Sequence, residues 1–358
     1  MASLESQTAT PTFEDRLAGT LIGTALGDAL GLPVENLTAQ RIELLFGRVT
    51  RFRFLGRTGF VSDDTEHTAF VAQALIEAGD DPLRGAGAFA RRLKGWVLRA
   101  PFGVGFATLR ACLKLLLLFP ASKSGVRSAG NGAAMRSAIL GAFFAEDASR
   151  RTAWSEAIAR VTHTDPRAVQ GAGYVAALAA QVAQRPAFEK PDLLEAAKGV
   201  VEDPSLLRGI EAAQQLAEAG APTHEAAKAL GVTGFVVHTV PFAAYALARW
   251  GDDPRKALEE TVNAGGDTDT TGAIVGALLG TRHGLSGLPQ DLIQLLEDGP
   301  LGRRHLLALA HALASGVPAR PPGYSALRLL ARNLLLIPVI FGHVAWRMVG
   351  PLLRISRR

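Results

Sequence analysis

Along most of the chain, apolar residues recur at a spacing of three and four, which is the period of an amphipathic α-helix. In the segment that follows Thr12, one helical face carries Leu17, Leu21, Ile22, Ala25 and Leu30. Alanine, leucine and glycine dominate the composition, and aromatic residues make up only 6%. Because alanine and leucine have high helix propensities, the pattern and the composition together predict an all-α protein.

Breaks in the helical pattern divide the chain into four parts. Residues 1–12 are rich in Ser and Thr and are predicted to be disordered. No segment of residues 13–315 has the length and composition of an interdomain linker, so this part is expected to be one domain. Residues 316–323 are rich in Pro and Gly and are predicted to form a linker, which leaves residues 324–358 as a basic C-terminal extension.

The net charge of +5 comes from the extension rather than from the body. No acidic residue follows Asp298, and residues 301–358 contain nine arginines, so the first 300 residues carry 29 basic and 33 acidic groups, a net charge of −4. Nucleic-acid binding by such a body is not expected. The single cysteine, Cys112, lies in an apolar segment, and the N-terminus has no apolar core of signal-peptide length. A reducing, cytoplasmic location is therefore expected.

Three glycines, Gly19, Gly23 and Gly27, recur every four residues in the first predicted helix. Glycine costs roughly 1 kcal/mol relative to alanine in a helix, so this spacing predicts that another helix or a ligand approaches closely along that face. Two carboxylates follow near the end of the helix. For Asp28 an ordinary solvated helix terminus is expected, whereas Glu35 lies in an apolar context and is the better functional candidate.

Two stretches repeat one polar pattern, in which a glycine precedes paired aspartates and hydroxyls at the start of an apolar helix; they are residues 59–68 and 265–270. Each could be an N-cap, because Asp, Ser and Thr favour helix starts. A cap needs only one such side chain, however, and Mg²⁺ binds clusters of carboxylate and hydroxyl oxygens. Together the two starts could supply four carboxylates, enough for a two-metal site. Without a cation, their mutual repulsion would be costly.

Two glycine-rich stretches and one histidine are further candidates. Residues 101–108 could cradle a phosphate, although on spacing alone an ordinary loop between helices is preferred. Residues 125–136 would expose backbone N–H groups at a helix start, which suits a phosphate or ribose oxygen, while Arg136 could equally be an ion-pair partner. His163 precedes a predicted helix start, where a local hydrogen-bonding role is more common than catalysis.

Five blocks in this order resemble the ADP-ribosylglycohydrolase family, all-α hydrolases that include the enzyme that reactivates dinitrogenase reductase and the ADP-ribosylarginine and ADP-ribosylserine hydrolases. The resemblance covers roughly residues 13–315, and the blocks are residues 23–35, 62–65, 130–136, 162–163 and 265–270. It implies an orthogonal multi-helix bundle with two divalent metal ions, usually Mg²⁺ and in some members Mn²⁺, at the base of a cleft.

The resemblance also implies a role for each matched residue. The metal ligands would be Asp63, Asp64, Asp267 and Asp269, with further oxygens from Ser62 and Thr270. Ser62 stands where many members have threonine, so the hydroxyl is kept. The catalytic carboxylate would be Glu35, which falls where the family has a glutamate near the substrate ribose, or one of the aspartates Asp64 and Asp269. Residues that line the ADP-ribose cleft would be Gly103, Gly105, Gly130, Asn131, Gly132 and His163.

The implied reaction is hydrolysis of the glycosidic bond at the distal ribose C1 of an ADP-ribosylated substrate. Two cations would hold the ribose hydroxyls, and a carboxylate would manage the proton of the attacking water. The linkage that is cut, to arginine, serine, a DNA base or a small metabolite, stays open. One alternative is a non-hydrolytic ADP-ribose-binding or structural member of the same fold. Another is a dinuclear-metal phosphoesterase that would cut the pyrophosphate.

The extension has the composition of a helix that lies on a membrane. As a helix, the run from Leu334 to Trp346 would span about 20 Å, less than the roughly 30 Å of a bilayer core, so a simple transmembrane span is not expected. Helical spacing puts the basic residues on one arc opposite a broad apolar face, which suits the anionic inner face of a membrane. The alternative is packing on the body or on a second subunit with the arginines in solvent. Pro338 and Pro351 are expected to kink or break the helix.

Overall fold

The structure, a computed structural model, describes residues 10–184, 190–316 and 320–355. Helices dominate these residues, and the only strands among them are β1 (Leu37–Thr38) and β2 (Gly265–Gly266). The all-α prediction is confirmed. The predicted disorder of residues 1–12 falls mostly on residues 1–9, which lie outside the described residues.

The described residues form eighteen α-helices and three 3₁₀ turns. The α-helices are α1 (Phe13–Gly31), α2 (Ala39–Phe46), α3 (Asp63–Ala78), α4 (Pro82–Val97), α5 (Phe106–Leu116), α6 (Ala121–Ser124), α7 (Ala138–Phe143), α8 (Ala148–Arg160), α9 (Pro166–Gln184), α10 (Lys190–Ala197), α11 (Pro204–Glu218), α12 (Thr223–Leu230), α13 (Val236–Trp250), α14 (Pro254–Asn263), α15 (Thr268–His283), α16 (Gln290–Ile293), α17 (Arg303–Ala314) and α18 (Ala326–Ile355). The 3₁₀ turns are Leu32–Val34, Asn131–Arg136 and Lys198–Val200.

Helices α1 and α15 pack backbone against backbone in the core. A Cβ atom added at Gly23 would lie 2.0 Å from the carbonyl oxygen of Gly276, and one at Gly27 would lie 1.8 Å from that of Gly272. The close approach predicted from the glycine spacing is confirmed, and the neighbour is a helix. Because the paired positions run in opposite directions along the two helices, the end of α1 lies beside the start of α15.

The two short strands fix the turn that follows α1. Leu37 pairs with Gly266 across β1 and β2, and the N–H of Asn36 donates to the carbonyl oxygen of Gly266 at 2.7 Å. Gly265 and Gly266 have φ angles of 83° and 78°, a conformation that side chains disfavour. These glycines therefore make the tight turn that brings the segment after α1 against the start of α15.

The C-terminal extension forms a single helix, α18. The helix continues across Pro338 and Pro351 instead of breaking. Pro338 is exposed, so the local distortion that proline causes displaces no packed neighbour. By length and composition two described stretches could cross a membrane, Phe13–Val34 and Ala326–Met348. The first is wholly buried in the core, whereas the apolar part of α18 is 23 residues long, more than the sequence estimate, and only 17% buried.

Helix α18 turns its polar side toward the body. Arg332 pairs with Glu66 and Glu297, and Asn333 donates to the backbone oxygen of Arg99 at 2.8 Å. Near the other end, a ring nitrogen of His343 lies 2.8 Å from a backbone oxygen of the turn after α1. Packing on the body is thus the observed arrangement, with Arg332 buried rather than in solvent. The outward face is apolar and exposes Leu327, Leu334, Leu335, Phe341, Val344, Trp346 and Met348.

Candidate active site

A cavity of about 280 Å³ lies where α3 and α15 begin. Every site residue predicted from the sequence lines it, except Ser62. The predicted residues in its wall are Glu35, Asp63, Asp64, Gly103, Gly105, Gly130, Asn131, Gly132, His163, Asp267, Asp269 and Thr270. The fold therefore brings together residues that are more than 200 positions apart in the sequence. Their roles as ligands or catalytic groups stay predictions.

Asp28 holds the start of α3 from beneath the cavity. One of its carboxylate oxygens accepts hydrogen bonds from the N–H of Ser62 at 2.9 Å, the N–H of Thr65 at 3.2 Å and the hydroxyl of Thr65 at 2.5 Å. Burial raises the pKa of Asp28 to about 6, and these hydrogen bonds oppose that rise. The expected solvated helix terminus was wrong, because α1 ends in the core.

A serine and a threonine hydroxyl bracket the Asp64 carboxylate. Ser62 is the N-cap of α3, and its Oγ lies 3.3 Å from both the N–H and the carboxylate of Asp64. From the other helix start, the hydroxyl of Thr270 donates to Asp64 at 3.3 Å. The two acidic helix starts thus face each other, as the repeated sequence pattern predicted.

Three carboxylates from two segments converge where these two helix starts meet. Oxygen atoms of Glu35, Asp267 and Asp269 all lie within 4.8 Å of one another, an arrangement that could hold a metal ion. Glu35 was predicted to serve the substrate rather than a metal. Its carboxylate lies close enough to the two aspartates for either role.

The crowding of carboxylates has the expected electrostatic consequence. Burial raises the pKa values of Asp63, Asp64 and Asp269 well above the usual range, and neighbouring carboxylates raise them further. Burial and then Asp267 raise the pKa of Glu35 as well. A bound cation would favour the ionised forms, so metal binding at this cluster should release protons.

The donor set fits a hard divalent cation. Among the described residues, the second carboxylate oxygen of Asp28 and that of Asp64 are buried without a hydrogen-bond partner. Buried polar atoms are rarely left unpaired, and all the available ligands are the oxygens that Mg²⁺ or Mn²⁺ prefers.

Asn131 also lines the cavity and orients Asp267. Its side-chain amide donates to Asp267 at 2.7 Å and to the hydroxyl of Thr239 at 2.9 Å, while its backbone N–H donates to Gly234 at 3.0 Å. A Cβ at position 234 would lie 2.9 Å from the Asp267 carboxylate. Asn131 was predicted to contact substrate, but its amide nitrogen is already occupied. The role of Gly234 was missed, since its sequence context carries no site motif.

His163 enters the cavity as a neutral ring. Burial, followed by the charge of Arg136, lowers the pKa of His163 to about 3. Arg136 is itself fully buried and donates to the hydroxyl of Thr162, which lies 2.8 Å from Nδ1 of His163. Because a guanidinium can only donate, the Thr162 hydroxyl is free to donate to Nδ1, which leaves the ring proton on Nε2. Arg136 is thus a structural residue.

The predicted glycines of the site differ in how closely other atoms surround them. Gly103 has a φ of 74°, and a Cβ there would lie 3.1 Å from the Asp63 carboxylate, so its loop passes directly over the acidic cluster. A Cβ at Gly132 would lie 3.0 Å from the His163 ring, and one at Gly130 would lie 3.5 Å from it. Gly105 has no neighbour within 4 Å of such a Cβ. The loop at residues 101–105 therefore forms part of the cavity wall.

Helix α18 also reaches this site. Arg347 donates to the backbone oxygen of Glu35, and its charge opposes the rise in the pKa of that carboxyl. Arg41 donates to the backbone oxygen of Arg347 at 3.1 Å. This contact could not be predicted from the sequence, because it joins residues more than 300 positions apart.

The all-helical fold thus carries an acidic, oxygen-lined cavity at two helix starts, where a metal ion could be held. The sequence profile of the ADP-ribosylglycohydrolase family matches residues 9–322, so the chain belongs to this family. An uncharacterized protein of Archaeoglobus fulgidus is 33% identical over 80% of this chain and 93% of its own length. The ADP-ribosyl-[dinitrogen reductase] glycohydrolase of Rhodospirillum rubrum is 25% identical over 80% of this chain and 92% of its own. A solved chain of an "ADP-ribosylglycohydrolase-related protein complex" superposes with a TM-score of 0.65 at 28% identity, covering 85% of this chain and 98% of that one.

Proposed function

We propose that the protein is a metal-dependent hydrolase that cleaves the glycosidic bond at the distal ribose C1 of an ADP-ribosyl group. Family membership supports hydrolysis of an ADP-ribosyl linkage. The observation that carries the proposal is the convergence of two acidic helix starts and Glu35 in one cavity, which a glycine-rich loop and a neutral histidine also line.

Two Mg²⁺ or Mn²⁺ ions would be held by Asp63, Asp64, Asp267 and Asp269, with the hydroxyls of Ser62 and Thr270 nearby. When bound there, divalent cations supply positive charge toward the ribose hydroxyls and make a nearby water more acidic. Asp28 and Asn131 would keep the ligand carboxylates in place, because one fixes the start of α3 and the other holds Asp267.

The chain's own groups would then handle the reaction. A water attacks C1, the bond from C1 to the acceptor breaks, and the water's proton passes to a carboxylate. Glu35 is the favoured base, because it is the carboxylate in the cavity wall that is not assigned to the metal ions. The protonated carboxyl then gives up that proton, and the leaving acceptor atom takes up one proton, so that water is divided between C1 and the acceptor and the carboxylate is regenerated. The Nε2 proton of His163 is available to donate to an oxygen of the bound nucleotide.

One assay separates this proposal from the two alternatives. Free ADP-ribose as the product supports glycosidic cleavage, whereas AMP with ribose 5-phosphate would identify a phosphoesterase. Binding of ADP-ribose without turnover of any ADP-ribosylated acceptor would identify a non-hydrolytic member of the fold. Conjugates to arginine, serine, a DNA base and a small metabolite should be tested in parallel, since the acceptor is open.

Substitution of single ligands tests the site assignment. Asp64→Asn and Asp267→Asn keep the side-chain shape but remove charge from a multidentate oxygen cage, so both should abolish hydrolysis with the fold intact. Glu77→Gln is the matched control, because Glu77 pairs with Arg91 and Arg92 on the surface, away from the cavity. Wild-type turnover by either aspartate variant would contradict the assignment.

The outward face of α18 supports a second proposal, that the protein attaches peripherally to the cytoplasmic face of a membrane. Seven large apolar side chains are exposed along this helix. Since Arg332, His343 and Arg347 face the body, attachment would depend on apolar contact more than on the basic arc.

A further inference from the structure

A second cavity, of about 820 Å³, adjoins the candidate active site. Gly234 and Asp267 line both cavities. The segment from Asn36 to Gln40, which directly follows Glu35, lines the second one. The two cavities therefore adjoin at the carboxylates beside which the glycosidic bond would be cut.

The first cavity is small for a whole substrate. At about 280 Å³ it falls just below the roughly 300–1,000 Å³ of typical ligand pockets. It has room for the reacting end of an ADP-ribosyl group but not for the macromolecule attached to ribose C1. With the nucleotide against the glycine-rich stretches and His163, as proposed, the acceptor would leave past Asp267 toward the larger cavity.

The second cavity presents unpaired positive charge. Lys228 is exposed and pairs with no carboxylate among the described residues. Arg249 lies over the ring of Trp250 at 3.9 Å, and in the same part of the chain it has no carboxylate partner either. An imidazole donor, His224, lies in the same wall. These groups favour an anionic occupant.

The acidic groups of this cavity are mostly neutralised. Glu260 accepts from Arg48 at 2.9 Å and from the hydroxyl of Thr223, which also accepts from Trp250 at 3.2 Å. Asp267, the other carboxylate in the lining, belongs to the metal cluster. Outside the carboxylate cluster, the charge in the second cavity that is not neutralised by a partner is therefore positive.

We infer that the second cavity is the acceptor subsite and that it takes an acidic segment of an ADP-ribosylated protein. The inference rests on the proposed function and specifies the substrate class. A nucleic acid is the less favoured occupant, because Arg249 and Lys256 already cover the ring of Trp250, which leaves it unavailable for base stacking.

Paired substrates test the subsite. Two ADP-ribosylated peptides should be compared, which share the acceptor residue that the protein hydrolyses but carry either Asp and Glu or Asn and Gln around it. At low salt the wild type should show a KM about threefold to tenfold lower for the acidic peptide, as expected for a few partly exposed charge pairs. Lys228→Glu should remove this preference. Lys123→Glu, an equally exposed change outside both cavities, should keep it.

Two further readouts complete the test. The preference should disappear at 1 M salt, where the Debye length is about 3 Å, and inhibition by free ADP-ribose should be the same for the Lys228→Glu and Lys123→Glu variants. Equal KM values for the two peptides in the wild type would overturn the inference, as would tighter binding of a single-stranded oligonucleotide that Lys228→Glu abolishes. If no conjugate is hydrolysed, the proposed function fails, and fluorescence anisotropy of the two labelled peptides then decides the subsite alone.

Discussion

Arg332 anchors the C-terminal helix to the helix that starts the acidic cluster. Its guanidinium pairs with Glu297 at 2.9 Å and with Glu66, which follows the aspartates Asp63 and Asp64 in the first turn of α3. The side chains of Arg332, Glu66 and Glu297 are only 10%, 3% and 9% exposed. Arg332→Ala would therefore leave two buried carboxylates without their cation.

The expected cost can be worked out from this burial. Removing one partner of a buried ion pair typically costs about 3–5 kcal/mol. Unfolding entropy near 60 °C is about 2.1 cal/mol/K per residue, or about 0.75 kcal/mol/K for the 358 residues of the chain, so the melting temperature should fall by about 4–7 °C. Arg328→Ala is the matched control. Arg328 is exposed one turn earlier on the same helix, and its substitution should change stability by no more than about 0.5 kcal/mol.

The pH dependence separates a charge effect from lost packing. Burial raises the pKa of Glu297 to about 7, against the opposing charge of Arg332. A carboxyl group whose pKa is higher in the folded than in the unfolded state destabilises the fold progressively as pH rises from about 4.5 through about 7. Arg332 offsets that loss, so the deficit of Arg332→Ala should be larger at pH 8 than at pH 5. A deficit that is equal at both pH values, or no larger than that of Arg328→Ala, would refute the reasoning.

Three further perturbations have expected outcomes. Gly23→Ala should lower the melting temperature strongly, because the added Cβ would lie 2.0 Å from the backbone of Gly276. Gly87→Ala should leave the melting temperature unchanged or raise it, because the nearest neighbour of its Cβ is a flexible Arg91 atom at 3.8 Å. Similar melting temperatures for the two variants would contradict the packing of α1 on α15. Glu35→Gln should lower kcat sharply with little change in Mg²⁺ affinity measured by calorimetry, and a variant that loses the metal instead would make Glu35 a ligand. The double variant Leu335→Glu with Phe341→Glu should reduce flotation of the protein with anionic vesicles. Leu83→Glu should not, since Leu83 is as exposed as these two residues but lies on α4. Wild-type protein that stays out of the vesicle fraction would contradict the membrane proposal.

Much of the site could be predicted because its chemistry lies in short local patterns. A glycine followed by paired aspartates at a helix start constrains both the backbone and the ligands, so residues 62–65 and 265–270 could be identified without knowing what they pack against. The four-residue glycine spacing in α1 likewise predicted a close neighbour, since glycine in a helix is otherwise unfavourable. Because α15 carries glycines at the same four-residue spacing, the register between α1 and α15 is set by pairing glycine with glycine.

Residues whose role depends on a distant partner could not be predicted in this way. Asp28 looked like a solvated helix end, because nothing local shows that Ser62 and Thr65 will donate to it. The basic residues of α18 looked like a membrane-facing arc, because their carboxylate partners lie far away along the chain. Helical periodicity identifies a polar face, but it does not say whether that face meets solvent, lipid or the protein itself.

Metal binding should be visible in stability as well as in activity. A cation bound only by the folded state stabilises it by about 2.7 kcal/mol at a hundredfold excess over the dissociation constant, which corresponds here to about 4 °C in the melting temperature. Asp267→Asn should abolish that shift. A melting temperature that stays constant as Mg²⁺ is raised to millimolar levels would count against the carboxylate cluster as a metal site.

The most direct measurement is chromatographic identification of the product released from ADP-ribosylated substrates, with Mg²⁺ present and after chelation by EDTA. We expect free ADP-ribose with Mg²⁺, loss of turnover on chelation, and recovery of turnover when Mg²⁺ or Mn²⁺ is added back. Release of AMP, or undiminished turnover in EDTA, would contradict it.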